Sequence, residues 1–141
     1  MSSVPFHYVD LRAFCYATED EKRVEQALRT YLPDDYPIER TTSEGHYGDR
    51  IVVLSARVEN ADDVRHVLAR VSDLDDIETV LEELDHRLDD NNAFYLTLDK
   101  QAAFRGETVR GDGLTLRAKV EAYPAKREKA LSNAREALQS L

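Results

Sequence analysis

The stretch Leu114-Thr-Leu-Arg-Ala-Lys-Val-Glu-Ala122 alternates apolar and polar side chains along its whole length. A period of two residues is typical of a strand that buries one face and exposes the other. Pro124 suits the first turn of a helix, and Ala130, Ala134 and Leu138 follow it at helical spacing. The end of the chain therefore predicts a strand followed by a helix.

The two-residue period of strands and the 3.6-residue period of helices also predict the other elements. Alternation of side chains predicts strands, and a capping box at Thr18-Glu-Asp-Glu21 begins the first helix. The predicted strands lie at 8–16, 38–42, 51–58, 94–98 and 114–122, with an optional strand within 101–110, and helices begin near 18, 60, 73 and 124. The order β-α-β-β-α-α-β-(β)-β-α predicts one α+β domain over residues 1–141, with helices on one face of a mostly antiparallel sheet.

Composition narrows the class of protein. The chain is 42% apolar and 33% charged, as folded domains are, and it has no apolar run of the ~20 residues that span a bilayer. The single cysteine, Cys15, cannot form an internal disulfide, so we expect a cytoplasmic location. The four histidines lack partners at metal-ligand spacing, and no phosphate-binding glycine loop or G-x-S-x-G motif is present. We therefore expect no enzyme activity, no metal and no cofactor.

Charge is unevenly distributed along the chain. The net charge is −9, and this excess of acids is typical of proteins from a salt-loaded cytoplasm. Residues 100–141 nevertheless hold nine basic and five acidic side chains, whereas residues 1–99 hold ten and 23. A basic end on an acidic chain predicts that a polyanion, above all RNA, binds there.

The predicted RNA contacts fall into groups. They are Lys126, Arg127 and Lys129 at the start of the final helix, Arg117 and Lys119 on one strand face, Lys100 and Arg105 before that strand, and His46, Tyr47 and Arg50 at a glycine-flanked turn. A helix start is electropositive and suits phosphates, while aromatic rings stack on unpaired bases. Each group has an alternative interpretation. The basic side chains are solvated or ion-paired, and the turn residues pack on a neighbouring helix. Tyr8, Tyr16 and Tyr95 are either stacking rings on a free sheet face or core residues.

Four segments resemble a family of small archaeal proteins. They are Phe14-Cys-Tyr-Ala-Thr-Glu-Asp-Glu21, Glu44-Gly-His-Tyr-Gly48, Leu98-Asp-Lys-Gln-Ala-Ala103 and Val120-Glu-Ala-Tyr-Pro-Ala-Lys-Arg-Glu-Lys-Ala130. That family is described as RNA-binding and as a predicted exosome-associated subunit. The resemblance implies a non-catalytic RNA-binding domain, with a fold compared to the double-stranded-RNA-binding domain and to the ribosomal protein that holds 5S RNA. It also implies exosome or ribosomal proteins as partners.

The C-terminal half is similar to a double-stranded-RNA-binding domain in its element order. Residues 75–141 are predicted as α-β-(β)-β-α, and the basic cluster of the last helix is matched by Lys126, Arg127 and Lys129. The preceding helix departs from that pattern because it is strongly acidic. We therefore leave open whether the RNA is single- or double-stranded and whether the protein forms a homodimer. The alternative functions are a protein-interaction adaptor with an acidic surface and a small nuclease or other hydrolase.

Overall fold

The computed structural model describes residues 6–44, 48–121 and 127–139. The strands are β1 (Phe6–Cys15), β2 (Glu39–Glu44), β3 (Arg50–Val58), β4 (Ala93–Asp99) and β5 (Gly113–Val120). They form one antiparallel sheet in the order β2-β3-β1-β5-β4. The helices are α1 (Glu21–Arg29), α2 (Ala61–Val71), α3 (Ile77–Glu82), α4 (Leu84–Arg87), α5 (Lys100–Phe104) and α6 (Arg127–Gln139). The predicted α+β class with an antiparallel sheet is confirmed.

The helices pack on one side of the sheet. In β1, Val9, Leu11 and Ala13 are fully buried, whereas the residues between them reach the surface. Successive strand residues point to opposite faces, so the apolar set meets the helices and the polar set faces away. We call the second side the open face. It carries Tyr8, Asp10 and Arg12 of β1, Ser55 and Arg57 of β3, Tyr95 and Thr97 of β4, and Thr115, Arg117 and Lys119 of β5.

Capping side chains determine where two helices begin. The carboxylate of Asp20 accepts a hydrogen bond from the Lys22 backbone N–H at 3.0 Å, and Asn60 does the same for Asp62 at 2.9 Å. These bonds satisfy N–H groups that lack partners in the first helical turn. The capping box predicted from Thr18 is therefore displaced, because Asp20 supplies the cap.

The segment from 99 to 110 differs from its prediction. The optional strand within 101–110 is instead helix α5 and a loop, in which Arg110 makes an isolated bridge with Leu98. Asp99 starts this helix, since its carboxylate accepts from the N–H groups of Gln101 and Ala102 at 2.8 and 3.1 Å. The predicted third helix is likewise divided into α3 and α4, because the backbone of Glu83 leaves the helical region. No helix in the described parts of the chain is long and apolar enough to cross a bilayer.

A buried lysine connects α5 to the end of β1. The ammonium group of Lys100 donates to the Phe14 carbonyl and to the Glu19 carboxylate, each at 2.6 Å, and only 9% of the residue is exposed. Its side chain lies against Gly113, whose φ of +100° also favours glycine. A Cβ at position 113 would approach Lys100 to 3.0 Å, so the glycine makes room for the lysine.

Replacing this lysine should destabilise the fold. Lys100→Met leaves the Phe14 carbonyl and the Glu19 carboxylate without their donor, and such a loss costs about 1–3 kcal/mol. Lys22→Met is the matched control, because Lys22 is exposed on α1. Urea unfolding of the three proteins measures the difference, and equal free energies of unfolding would contradict this role for Lys100.

The same contact should be sensitive to acid. Burial alone raises the pKa of Glu19, but the bonds from Lys100 and from the Tyr16 N–H outweigh it and leave the pKa below its usual value of 4.5. A carboxyl group whose pKa is lower in the folded state stabilises the fold above its unfolded pKa, and this stabilisation disappears as the pH falls through the folded pKa. The stability advantage of wild type over Glu19→Gln should therefore be full at pH 7 and shrink below pH ~4.5. Unfolding curves at stepwise lower pH test this, and a constant advantage would refute it.

Candidate nucleic-acid interface

Four cations from three strands lie on the open face. They are Arg12 of β1, Arg57 of β3, and Arg117 and Lys119 of β5. Strand register places Arg57, Asp10 and Arg117 side by side, with Tyr95 next on β4. Because neighbouring strands are ~4.8 Å apart, this row spans about 15 Å across the sheet.

Arg57 lies over the ring of Tyr8. Its guanidinium carbon is 4.1 Å from the ring centroid, and its Nε and Nη2 donate to the two carboxylate oxygens of Asp10 at 2.7 and 2.9 Å. The hydrogen bonds with Asp10 raise the pKa of Arg57 above its usual value, although burial acts in the opposite direction. The carboxylate thus holds a permanently charged, planar group above an aromatic ring.

Arg117 joins two tyrosines. Its Nε donates to the hydroxyl oxygen of Tyr95 at 2.7 Å and its Nη1 to that of Tyr8 at 3.5 Å, while its Nη2 lies 3.7 Å from the Asp89 carboxylate. Partial burial lowers the pKa of Arg117, but the bond with Tyr95 and the nearby negative groups have a larger effect in the opposite direction. The pKa of Arg117 is therefore above its usual value. Arg117 therefore stays charged and holds both hydroxyl groups.

Asp89 anchors the turn that leads into β4. Its carboxylate accepts from the N–H groups of Asn91 and Ala93, each at 2.9 Å. Burial raises the pKa of Asp89, yet these two bonds, a further bond from Tyr95 and the charge of Arg117 outweigh it and lower the pKa. The turn and the side chains of the open face therefore share one ionised group.

Two of the predicted RNA-contact residues, Lys119 and Arg127, donate hydrogen bonds to the backbone of the segment between α4 and β4. The ammonium of Lys119 donates to the Asn91 carbonyl, and the guanidinium of Arg127 donates to the Asp85 carbonyl and, at 3.3 Å, to the Asp89 carbonyl. The start of α6 thus adjoins the end of the open face that carries Lys119. Lys129 is exposed and has no partner among the described residues.

The other predicted contacts do not join this group. Lys100 is buried and bonded, so we leave it out of the candidate interface. Arg105 ends α5 beside a cleft of about 660 Å³ in the helix layer, and its Nε lies 3.6 Å from Glu107. Arg50 is exposed at the start of β3 and alternates with residues of the open face. His46, Tyr47 and Lys126 lie outside the described residues.

Sequence reasoning missed Arg12 and Arg57. Both occupy polar positions in alternating strands, so the pattern alone indicates their exposure. Their position beside Arg117 depends instead on which strands are neighbours and in what register. Tyr8 and Tyr95, considered either as stacking rings or as core, both lie on the open face, and 44% of Tyr95 is exposed.

The part of the helix layer that α2, α3 and α4 form has the opposite charge, with nine acidic and three basic side chains over residues 61–87. Acidic side chains of α2, α3, α4 and their flanks include Asp62, Asp63, Asp75, Asp76, Glu78, Glu82, Glu83 and Asp85, which we call the acidic helix surface. Within the described ranges, His, Cys, Asp and Glu side chains form no group of three that could hold a metal ion. Positive side chains thus gather on the open face, whereas carboxylates gather on the part of the helix layer that α2, α3 and α4 form.

Removal of the Asp89 carboxylate should loosen the turn into β4. Asp89→Ala removes two bonds to backbone N–H groups and the carboxylate partner of Arg117, and hydrogen bonds to charged groups contribute about 1.5–3 kcal/mol. Its neighbour Asp90 is exposed, so Asp90→Ala is the control and should change stability by less than about 0.5 kcal/mol. Urea unfolding compares the two variants, and hydrogen exchange at the Ala93 amide should speed up only in the first. Equal behaviour of the variants would argue against this anchor.

Known proteins resemble the chain over nearly its full length. A family model described as RNA binding matches residues 8–120. The chain is 31% identical over 144 aligned positions to RNA-binding protein PAB1135 of Pyrococcus abyssi, covering 94% of each. The solved structure of AF2318 from Archaeglobus fulgidus matches with a TM-score of 0.85 and 28% identity, over 94% of this chain and 99% of that one. Mth689, a DUF54 protein from Methanothermobacter thermautotrophicus, matches with a TM-score of 0.79 and 39% identity, over 94% and 98%. The chain belongs to this RNA-binding family.

Proposed function

We propose that the protein binds RNA on the open face of its sheet and catalyses no reaction. The observation that carries this proposal is the gathering of arginines and tyrosines from four strands on one surface of a chain whose net charge is −9. The RNA-binding family model covers residues 8–120, which include this whole surface and end before α6. The family relationship therefore supports RNA binding, and the charge distribution supports the open face as the surface that binds it.

The arginines are suited to phosphate contact. A guanidinium group has five N–H donors, of which Arg57 gives two to Asp10, so others are left for an incoming anion. Arg12 is exposed and has no partner among the residues that the structure describes. Because Asp10, Tyr8 and Tyr95 already hold the other two arginines, RNA binding loses little side-chain entropy there.

We propose the start of α6 as a secondary phosphate contact. Arg127 reaches the Asp89 carbonyl, and Lys119 reaches the Asn91 carbonyl, so both lie at one end of the open face. Lys129 and Lys126 belong to the same sequence cluster. A backbone that crosses the open face past Lys119 would meet this helix start next.

Short-range contacts suit the proposed habitat. The acid-rich composition predicts a salt-rich cytoplasm, and in ~1 M salt the Debye length is only ~3 Å. Attraction then acts only at contact, where hydrogen bonds and ring stacking remain effective. We further propose, from the family resemblance, that the partners are exosome or ribosomal proteins, and that a basic partner would dock on the acidic helix surface.

Binding of a structured RNA at high KCl tests the proposal. Arg12→Ala should weaken binding to every RNA tested, because phosphate contacts carry little sequence information. It should also reduce the slope of log K against the logarithm of the salt concentration by about 0.7–0.9, the value for one phosphate neutralised. Arg23→Ala is the control, because Arg23 is an exposed arginine on α1, in the helix layer. Fluorescence anisotropy measures both effects.

Three other results would count against the proposal. Equal binding by Arg12→Ala and Arg23→Ala would remove the open face as the RNA-binding surface. Absence of RNA binding by wild type would favour the adaptor, in which the acidic helix surface docks a basic protein. Metal-dependent RNA cleavage by the pure protein would identify a nuclease. A triple change of Lys126, Arg127 and Lys129 to Ala, measured in parallel, tests the start of α6.

A further inference from the structure

We propose, as an extension of the proposed function, that the open face takes unpaired RNA and stacks two bases. One base lies on the ring of Tyr95, and the other lies on the guanidinium of Arg57 above the Tyr8 ring. We call these two positions the Tyr95 platform and the Arg57 platform.

The Tyr95 platform is an exposed ring held at its polar end. Tyr95 is 44% exposed on the edge strand β4, where a large aromatic side chain gains little from burial. Its hydroxyl accepts from Arg117 at 2.7 Å and is bonded to Asp89. The bonds restrain the ring, whose exposed surface is available to a nucleobase. Stacking on a restrained ring costs less entropy than stacking on a mobile one.

The Arg57 platform is a layered pair. The guanidinium lies 4.1 Å from the centre of the Tyr8 ring, and Asp10 holds two of its N–H groups in a fixed orientation. The side chain of Arg57 is still 52% exposed. RNA-binding proteins stack unpaired bases on guanidinium planes as well as on aromatic rings. A base on this plane would complete a stack of ring, guanidinium and base.

Spacing and charge fit a short single strand. Tyr8 on β1 and Tyr95 on β4 are separated by β5 and are offset by two residues along the strands, so their backbones are about 12 Å apart. Arg117 lies between them and bonds both hydroxyl groups, and Lys119 is the next residue on the same face of β5. Positive charge thus lies where the phosphates that link two stacked bases would pass.

A duplex fits this surface poorly. Paired bases are stacked on one another and offer an aromatic ring only groove edges, so neither platform would have a ligand. Duplex-binding domains instead use helices and a basic helix start. Here α3 and α4 belong to the acidic helix surface, and Arg127 donates to one backbone carbonyl of α4 and to one of the α4–β4 connection. The face that is rich in cations is the flat one that bears exposed rings.

Three RNA probes distinguish bases from phosphates. They are an unstructured RNA of about ten nucleotides, within the ~4–16 that single-strand sites take, the same RNA annealed to its complement, and an abasic strand with the same phosphates. Wild type should bind the first most tightly. Relative to Tyr95→Phe, Tyr95→Leu should weaken that binding by roughly 5- to 150-fold, which corresponds to the ~1–3 kcal/mol of one stacked base. Both variants lack the hydroxyl that accepts from Arg117, so they should bind the duplex and the abasic strand equally well.

Matched variants separate stacking from folding. Tyr95→Phe keeps the ring but, like Tyr95→Leu, lacks the hydroxyl that accepts from Arg117, so the difference between the two variants reports the ring alone. Tyr16→Leu is the control, because Tyr16 is at least as exposed as Tyr95, at 50%, but lies away from both platforms. It follows the far end of β1 from Tyr8, and its ring lies beside Lys100. Quenching of 2-aminopurine in the single strand should be seen with wild type and Tyr95→Phe and be reduced in Tyr95→Leu. Circular dichroism shows whether each variant is folded.

The outcomes distinguish this inference from the proposed function. Tighter binding of the duplex, or unchanged single-strand binding by folded Tyr95→Leu, would overturn the stacking of unpaired bases. The RNA-binding function would survive either result if Arg12→Ala still weakens binding. If wild type binds none of the three probes, the proposed function is overturned as well.

Discussion

The register of β1 is the constraint on which the rest of the structure depends. This strand lies in the middle of the sheet and pairs with both β3 and β5. Val9, Leu11 and Ala13 are completely buried under the helices, and burying an apolar side chain of Val or Leu size is worth about 1.5–3 kcal/mol. A slip by one residue would expose all three and bury Asp10 and Arg12 instead. The hydrophobic side of the sheet therefore determines where the polar side chains lie.

Stability does not by itself account for the open face. Exposed ion pairs contribute only about 0–1 kcal/mol, and Arg57 is half exposed in its pair with Asp10. The arrangement nevertheless orders two guanidinium groups with two carboxylates, Asp10 and Asp89, and two phenols. Its main physical effect is to fix the direction of charged and aromatic groups. Such order reduces the entropy that a ligand must remove when it binds.

Patterns local in sequence predict the fold class and most elements. Alternation identifies β1, β4 and β5, and apolar spacing identifies α1 and α2, because both periods depend on residues close along the chain. The prediction of an optional strand after Asp99 is wrong, because the Asp99 carboxylate caps the N-terminus of helix α5 there. The sequence does not reveal the burial of Lys100, a predicted RNA contact, for a related reason. Its acceptors, Phe14 and Glu19, are more than 80 residues away in sequence.

The candidate site is harder to predict than the fold. Arg117, Lys119, Tyr8 and Tyr95 each stand out singly, yet nothing in the sequence places them next to one another. That neighbourhood arises from the strand order β2-β3-β1-β5-β4, in which β1 lies between two strands distant in sequence. Arg57 becomes visible as a partner of Tyr8 only once β3 is aligned with β1. Local periodicity gives the face of a residue, whereas long-range pairing gives its neighbours.

The separation of charge between the two sides of the molecule has a consequence for any assembly it enters. A particle that meets RNA with its sheet turns its acidic helix surface outward. Several copies along one strand would then present rows of carboxylates on their outer side, and at high salt these carboxylates act only on groups in direct contact with them. A protein that binds the coated strand through these carboxylates would need basic groups that fit them at contact distance.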